Sequence, residues 1–124
     1  MEKLPYLYGQ LLKVSDELHM LYCKIERKGN YPAQFVGSTM YQAAIDAPVR
    51  TLNLLGQRMR PYIAWAKTYG GASAELKKYG TLGNKLSEEL SENIHFTDLD
   101  KAQFFLGYLA DFPNNGKNTE AQDK

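Results

Sequence analysis

The 124-residue chain carries 15 lysines and arginines against 14 aspartates and glutamates, a formal net charge of +1, with 44% apolar and 12% aromatic residues. That is globular composition at the length of one domain, and it excludes a disordered, collagenous or coiled-coil chain. Near-neutrality excludes a protein that coats nucleic acid with its whole surface, and the single cysteine, Cys23, excludes both an internal disulfide framework and a cysteine-based zinc site.

The first element is predicted over Leu4 to Lys28. Leu7, Leu11, Val14, Leu18, Leu21 and Ile25 recur at spacings of three and four, one apolar face of a helix, with Leu4, Tyr8, Leu12 and Tyr22 widening it. Pro5 fits the first turn, and Gly29-Asn30 supplies a stop after Arg27 and Lys28. Tyr31 to Ile45, interrupted at Gly37-Ser38, reads as two short helical turns or one kinked helix, with Asp46 as a candidate cap for the next helix.

Pro48 to Tyr69 is the second long helix, lined by Val49, Leu52, Leu55, Met59, Tyr62, Ile63 and Ala66, with a kink or break expected near Gln57 to Arg60 because of Pro61. Gly56 within it either permits close helix approach or merely weakens the helix. Ala72 to Thr81 reads as a loop or short helix ended by Gly80, and Leu82 to Asn93 as a weaker helix built on Leu82, Leu86 and Leu90. Thr97 to Asp100 has the form of a capping box and opens a last helix, with Leu99, Ala102, Phe105, Leu106 and Leu109 expected to face inward. The architecture implied is an all-α, compact antiparallel bundle of four to five helices over residues 1–112, followed by a disordered polar tail over 113–124.

The sequence contains no phosphate-binding glycine loop, zinc-protease motif, paired CxxC or calcium loop. Glu88 and Glu92 share a helix face without a histidine at metal-ligand spacing, so neither a metal nor a cofactor is expected. His19 and Cys23, four apart, allow a Cys–His nucleophile, yet neither an orienting group nor an oxyanion site is signalled. The plainer reading is a buried thiol beside a partly exposed imidazole; His95 reads as a loop or cap residue, and the chain as no enzyme. No run approaches the roughly 18 apolar residues of a membrane span, and a cytoplasmic protein is the default expectation.

Charge is segregated along the chain. Between Lys24 and Lys78 nine cations face three carboxylates, a net of +6, and the remainder of the chain is −5. Arg60 and Lys67 lie seven apart and are expected to share a face, as are Arg50 and Gln57, with Asn53 between them. Arg58 is placed nearer the Lys67 side than the apolar stripe. Arg50, Arg58, Arg60, Lys67, Lys77 and Lys78 are therefore the candidate nucleic-acid contacts, with Tyr41, Tyr62, Tyr69 and Tyr79 as possible stacking surfaces. The competing reading is an ordinary solvated face, with tyrosines serving as packing residues.

Four segments carry a resemblance to a known family. They are Tyr6-Leu7-Tyr8-Gly9-Gln10-Leu11-Leu12 with Val14, Phe35 with Gly37-Ser38, Ala47-Pro48-Val49 leading to Leu54-Leu55, and Asp100-Lys101-Ala102-Gln103-Phe104-Phe105-Leu106-Gly107-Tyr108. Together, across about residues 6 to 110, their order and spacing resemble the C-terminal helical region of the large subunit of type I-C CRISPR Cascade, which that family also makes separately as the small subunit. A chain that begins at Met1, just before this region, looks like that product. The resemblance implies a non-enzymatic helical scaffold that contacts the nucleic-acid backbone of an R-loop. Its implied partners are the effector backbone and large subunits, the guide RNA–target DNA complex and further copies of itself; no membrane or small-molecule substrate is implied. Where the family often continues into a polar, basic stretch, this chain has Leu109-Ala110-Asp111-Phe112-Pro113, which shifts the expected contact to the basic middle. The alternative is a protein–protein adaptor or self-associating bundle with no nucleic-acid role.

Overall fold

A computed structural model describes residues 3–110; the expected tail at 113–124 lies outside the described residues. The described residues form an all-α bundle with six helices: α1 (Leu4–Glu26), α2 (Val36–Thr39), α3 (Tyr41–Asp46), α4 (Pro48–Tyr69), α5 (Ser73–Glu89) and α6 (Asp98–Leu109). Four of these are long, and α2 and α3 are the two short turns expected between Tyr31 and Ile45.

α1 is the hub, packing against α2, α4, α5 and α6. Its predicted stripe is buried from Leu7 through Leu18, but so are Tyr8 and Leu12, which the periodicity puts on the flanks. Burial nearly all round forces its polar residues to find partners. The Tyr8 hydroxyl donates to the Pro48 carbonyl at 2.7 Å, and the Ser15 hydroxyl donates to the Leu11 carbonyl at 2.8 Å. The helix stops where the carbonyl of Cys23 accepts from both Arg27 and Gly29, with Lys28 and Gly29 at positive φ.

Three expectations about helix limits are corrected. Asp46 does not cap α4: it is the last residue of α3, so its backbone is helical, and Ala47 takes the cap position with Pro48 at the first helical residue. Of the kink or break expected at Pro61, the break is corrected: α4 runs continuously to Tyr69. Pro61 and Gln57 are both exposed, so the carbonyl that loses its partner is left to water rather than to the core. Gly80 does not terminate a short element either, because α5 passes through Gly80 and Gly83 as one helix. Each glycine costs about 1 kcal/mol relative to alanine, but buried Leu82 and Leu86, with Leu76 and Tyr79 packed beside them, hold the helix on the core.

α6 begins with the predicted capping box. Thr97 Oγ1 accepts from the Asp100 N–H at 3.1 Å, and Asp100 Oδ2 accepts from the Thr97 N–H at 3.0 Å. The expected inward face is wrong, however. Leu99, Phe105, Leu106 and Leu109 are 59%, 50%, 53% and 54% exposed, while Phe104 and Gly107 are buried. The reason is backbone contact with α1. A Cβ on Gly107 would collide with the Tyr6 carbonyl, and one on Gly9 would collide with the Phe104 carbonyl and the Tyr108 nitrogen. Gln10 Nε2 fastens the same junction by donating to the Gly107 carbonyl at 2.6 Å and to that of Ala110 at 3.4 Å. Only the glycine side of α6 can come this close, so its larger apolar residues turn away.

Gly107→Ala should therefore cost about 3 kcal/mol, since the clash is with rigid backbone. Gly80→Ala, where an added methyl meets nothing within 4 Å, should stabilise by about 0.5–1 kcal/mol. Urea unfolding of the two variants measures both, and a Gly107→Ala protein as stable as wild type would sink the close-packing account.

Candidate nucleic-acid interface

α4 carries Arg50, Arg58, Arg60 and Lys67 and has no carboxylate along its 22 residues. All four cations are exposed, and among the described residues none lies within ion-pair distance of a carboxylate. Arg50, Asn53, Gln57, Arg60, Ala64 and Lys67 succeed one another at spacings of three and four and are all exposed, so they form one outward strip. At 1.5 Å per residue that strip is about 26 Å long.

Arg58 does not belong to it. It lies nine residues from Lys67, and nine steps of about 100° place the two on opposite flanks of a continuous helix. The expectation that Arg58 sits toward Lys67 is therefore corrected; its neighbours on the surface of α4 are Leu54 and Trp65, four and seven residues away. Lys77 and Lys78 belong to α5, beyond the turn at Gly70, whose φ of 80° is the left-handed cap that ends α4. Lys77 is exposed and Lys78 half-buried.

The four tyrosines proposed as stacking surfaces divide sharply. Tyr41 packs its ring 4.6 Å from Phe104 and 5.5 Å from Tyr108, and burial raises its hydroxyl pKa. Tyr62 stacks on His19 at 4.3 Å and meets Tyr22 edge-on, and Tyr79 is half-buried against the core with its pKa raised by burial. These three are packing residues. Tyr69 alone of the four is exposed, its ring parallel to Trp65 at 4.7 Å. Sequence reasoning misses Trp65, although its four-residue spacing from Tyr69 is a usable signal. Its Nε1 donates to Glu26 Oε2 at 2.8 Å, which ties α4 to the end of α1.

The Cys23–His19 pair does not assemble a nucleophile. Cys23 is buried, and no hydrogen bond joins it to His19 among the described residues. His19 Nδ1 instead accepts the Val36 N–H at 3.1 Å, so it carries no proton. The imidazole is held between Phe35 and Tyr62. One turn back along α1, Asp16 takes the next donors of α2: Oδ1 accepts from the Ser38 N–H at 3.0 Å, and Oδ2 accepts from the Ser38 hydroxyl at 2.7 Å and the Tyr108 hydroxyl at 2.5 Å. Burial and the bond to Asp16 push the Tyr108 hydroxyl up to about 12. His95 is exposed and lies between α5 and α6.

Among the described residues no group of three His, Cys, Asp or Glu side chains is placed to hold a metal ion, and no helix is long and apolar enough to cross a membrane. No family model, curated protein or solved structure matches the chain.

Burial lowers the pKa of His19 below its ordinary value, with the nearby Asp16 carboxylate opposing the shift. The neutral ring is thus favoured in the fold. As pH falls through the unfolded value of about 6.5, the unfolded chain takes up this proton first, and stability declines until the folded pKa is passed. The urea midpoint should drop between about pH 7.5 and 5, and His19→Asn, which keeps an acceptor near Nδ1 but does not titrate, should flatten that segment. An equal slope in both proteins would remove His19 as its source.

Proposed function

We propose that this protein is a non-enzymatic, cytoplasmic scaffold subunit that tracks a nucleic-acid backbone with the outer face of α4, in the role of the small subunit of a type I-C CRISPR surveillance complex. The observation that carries the reading is the strip of Arg50, Arg60 and Lys67, interleaved with Asn53 and Gln57 on a helix without a carboxylate. Such a strip answers to phosphate spacing and charge and reads no bases, as a subunit beside an R-loop must when guide–target pairing supplies the sequence specificity. Exposed Tyr69, backed by Trp65, offers a ring face for an unpaired base at the far end of the same helix. The partners in this reading are the effector's backbone and large subunits, the guide RNA–target DNA complex and further copies of the chain.

A second reading has its own observation. The exposed Leu99, Leu106 and Leu109, with Ala102, repeat at three, four and three, which is the seam one helix offers another. That favours a protein–protein adaptor, or a bundle that associates with its own copies, without nucleic acid.

Fluorescence anisotropy with a labelled single strand of about 30 nucleotides, at about 50 and 200 mM salt, separates the two. Wild type should bind and weaken with salt. Arg50→Ala/Arg60→Ala/Lys67→Ala should flatten the slope of log affinity against log salt by about 2, at about 0.7 per lost phosphate contact, while Arg58→Ala leaves it unchanged. No salt-dependent binding at the lower salt overturns the nucleic-acid reading and leaves the adaptor.

A further inference from the structure

Lys77 and Lys78 stand on α5, where they border a feature that no α4 residue lines. A trough of about 520 Å³ is lined by Leu7 of α1 and by Ala74, Lys77, Lys78, Thr81, Leu82 and Lys85 of α5. The α5 residues recur at three and four, so they form one flank of that helix, about 16 Å long. The walls are Leu7, Leu82 and Ala74, three lysines stand along the rim, and no carboxylate lines it. Lysine stems add further methylene surface beneath their charged ends.

The chemistry of this trough selects its occupant. A nucleic-acid strand would satisfy the lysines but leave the leucine wall facing phosphate and sugar. A single-headed amphiphile would use one lysine, whereas Lys78 and Lys85 stand seven residues apart, about 10 Å along the axis. Carboxylates at positions i and i+7 of a second helix repeat at that same interval, and apolar side chains at i+3 and i+4 between them fall on the leucine wall. Both Lys78 and Lys85 already interact within the chain, and the exposed pair of Lys85 with Glu89, at 2.9 Å, is readily exchanged for a partner's carboxylate.

We propose that the lysine-rimmed trough between α1 and α5 is a docking site for an acidic amphipathic helix of a partner protein. The site is separate from the α4 strip, so the two proposals stand or fall separately.

The probe is a labelled synthetic helix of about 18 residues, five turns, with leucines at helical spacing and glutamates seven apart on its flanks. Wild-type protein should bind it saturably. Ala74→Glu, a like charge for the probe at an exposed position, should lower the affinity at least tenfold with an unchanged urea midpoint. Lys77→Glu/Lys78→Glu/Lys85→Glu should lose the acidic peptide to the same extent and gain a version with lysine in place of each glutamate. A scrambled peptide of the same composition should bind at least tenfold more weakly. The proposal is overturned if the designed peptide does not bind, or if the scrambled one binds equally well. It is also overturned if Ala74→Glu weakens oligonucleotide binding as much as peptide binding, which would give the trough to nucleic acid. Self-association of wild type that Ala74→Glu abolishes would give it to a second copy and overturn the proposal likewise.

Discussion

The backbone contact between Gly9 and Gly107 sets the arrangement of everything around α1. Two helices whose carbonyls touch each other's Cα surfaces have no room for side chains between them, so each must present its smallest residue. Once Gly107 faces α1, the 3.6-residue period decides the rest of α6. Phe104 falls beside Tyr8, with ring centres 5.6 Å apart, and Tyr108 falls toward Asp16. Leu99, Phe105, Leu106 and Leu109 are rotated outward by the same period. An apolar face is thus left open not because the core lacks space for it but because a closer contact takes priority.

The same junction explains how α1 bears so many buried polar groups. Gln10 uses its amide to satisfy carbonyls at the end of α6, where the helix has no further N–H of its own to offer them. Asp16 and His19, one turn apart, serve the opposite need at the start of α2. That helix has only four residues and no side-chain cap of its own, so α1 supplies acceptors for its Val36 and Ser38 N–H groups from outside. Gly37 is required there because a Cβ would strike the Leu12 carbonyl. Tyr108 then closes a loop from α6 through Asp16 to α2. A half-satisfied network of this kind would cost more than an apolar core, whereas a fully bonded one selects a single register for three helices.

Much of this was legible in the sequence. α4 begins and ends where proline and glycine place it, and the capping box of Thr97 and Asp100 forms as spelled. Those signals are local, and nothing remote overrides them. The failures share the opposite cause. Hydrophobicity alone turns Leu99, Phe105 and Leu106 inward, because the glycine that outranks them is informative only once Gly9 lies opposite. Gly80 looks like a terminator until the packing of Leu76, Tyr79, Leu82 and Leu86 is known. The separation of Arg58 from Lys67 is different, since helix arithmetic alone suffices to find it. Tyr62 already stood on the apolar stripe of α4, whereas Tyr41 and Tyr79 could not be told from Tyr69 by sequence, since burial distinguishes them and burial is a tertiary fact.

The outcome is a bundle whose outward chemistry is divided among its helices. α4 offers cations interleaved with amides, α5 with α1 offers cations over an apolar wall, and α6 offers leucine and phenylalanine behind an acidic first turn. The buried Asp16, His19 and Tyr8 and the half-buried Tyr108 are engaged in capping and cross-linking the helices, while the buried Cys23 thiol packs at the end of α1. Among the described residues, the surface so divided presents three strips of different character on three helices. Each strip runs along a helix axis and suits an elongated neighbour. In the proposed scaffold reading, each of these strips is left open to a different neighbour.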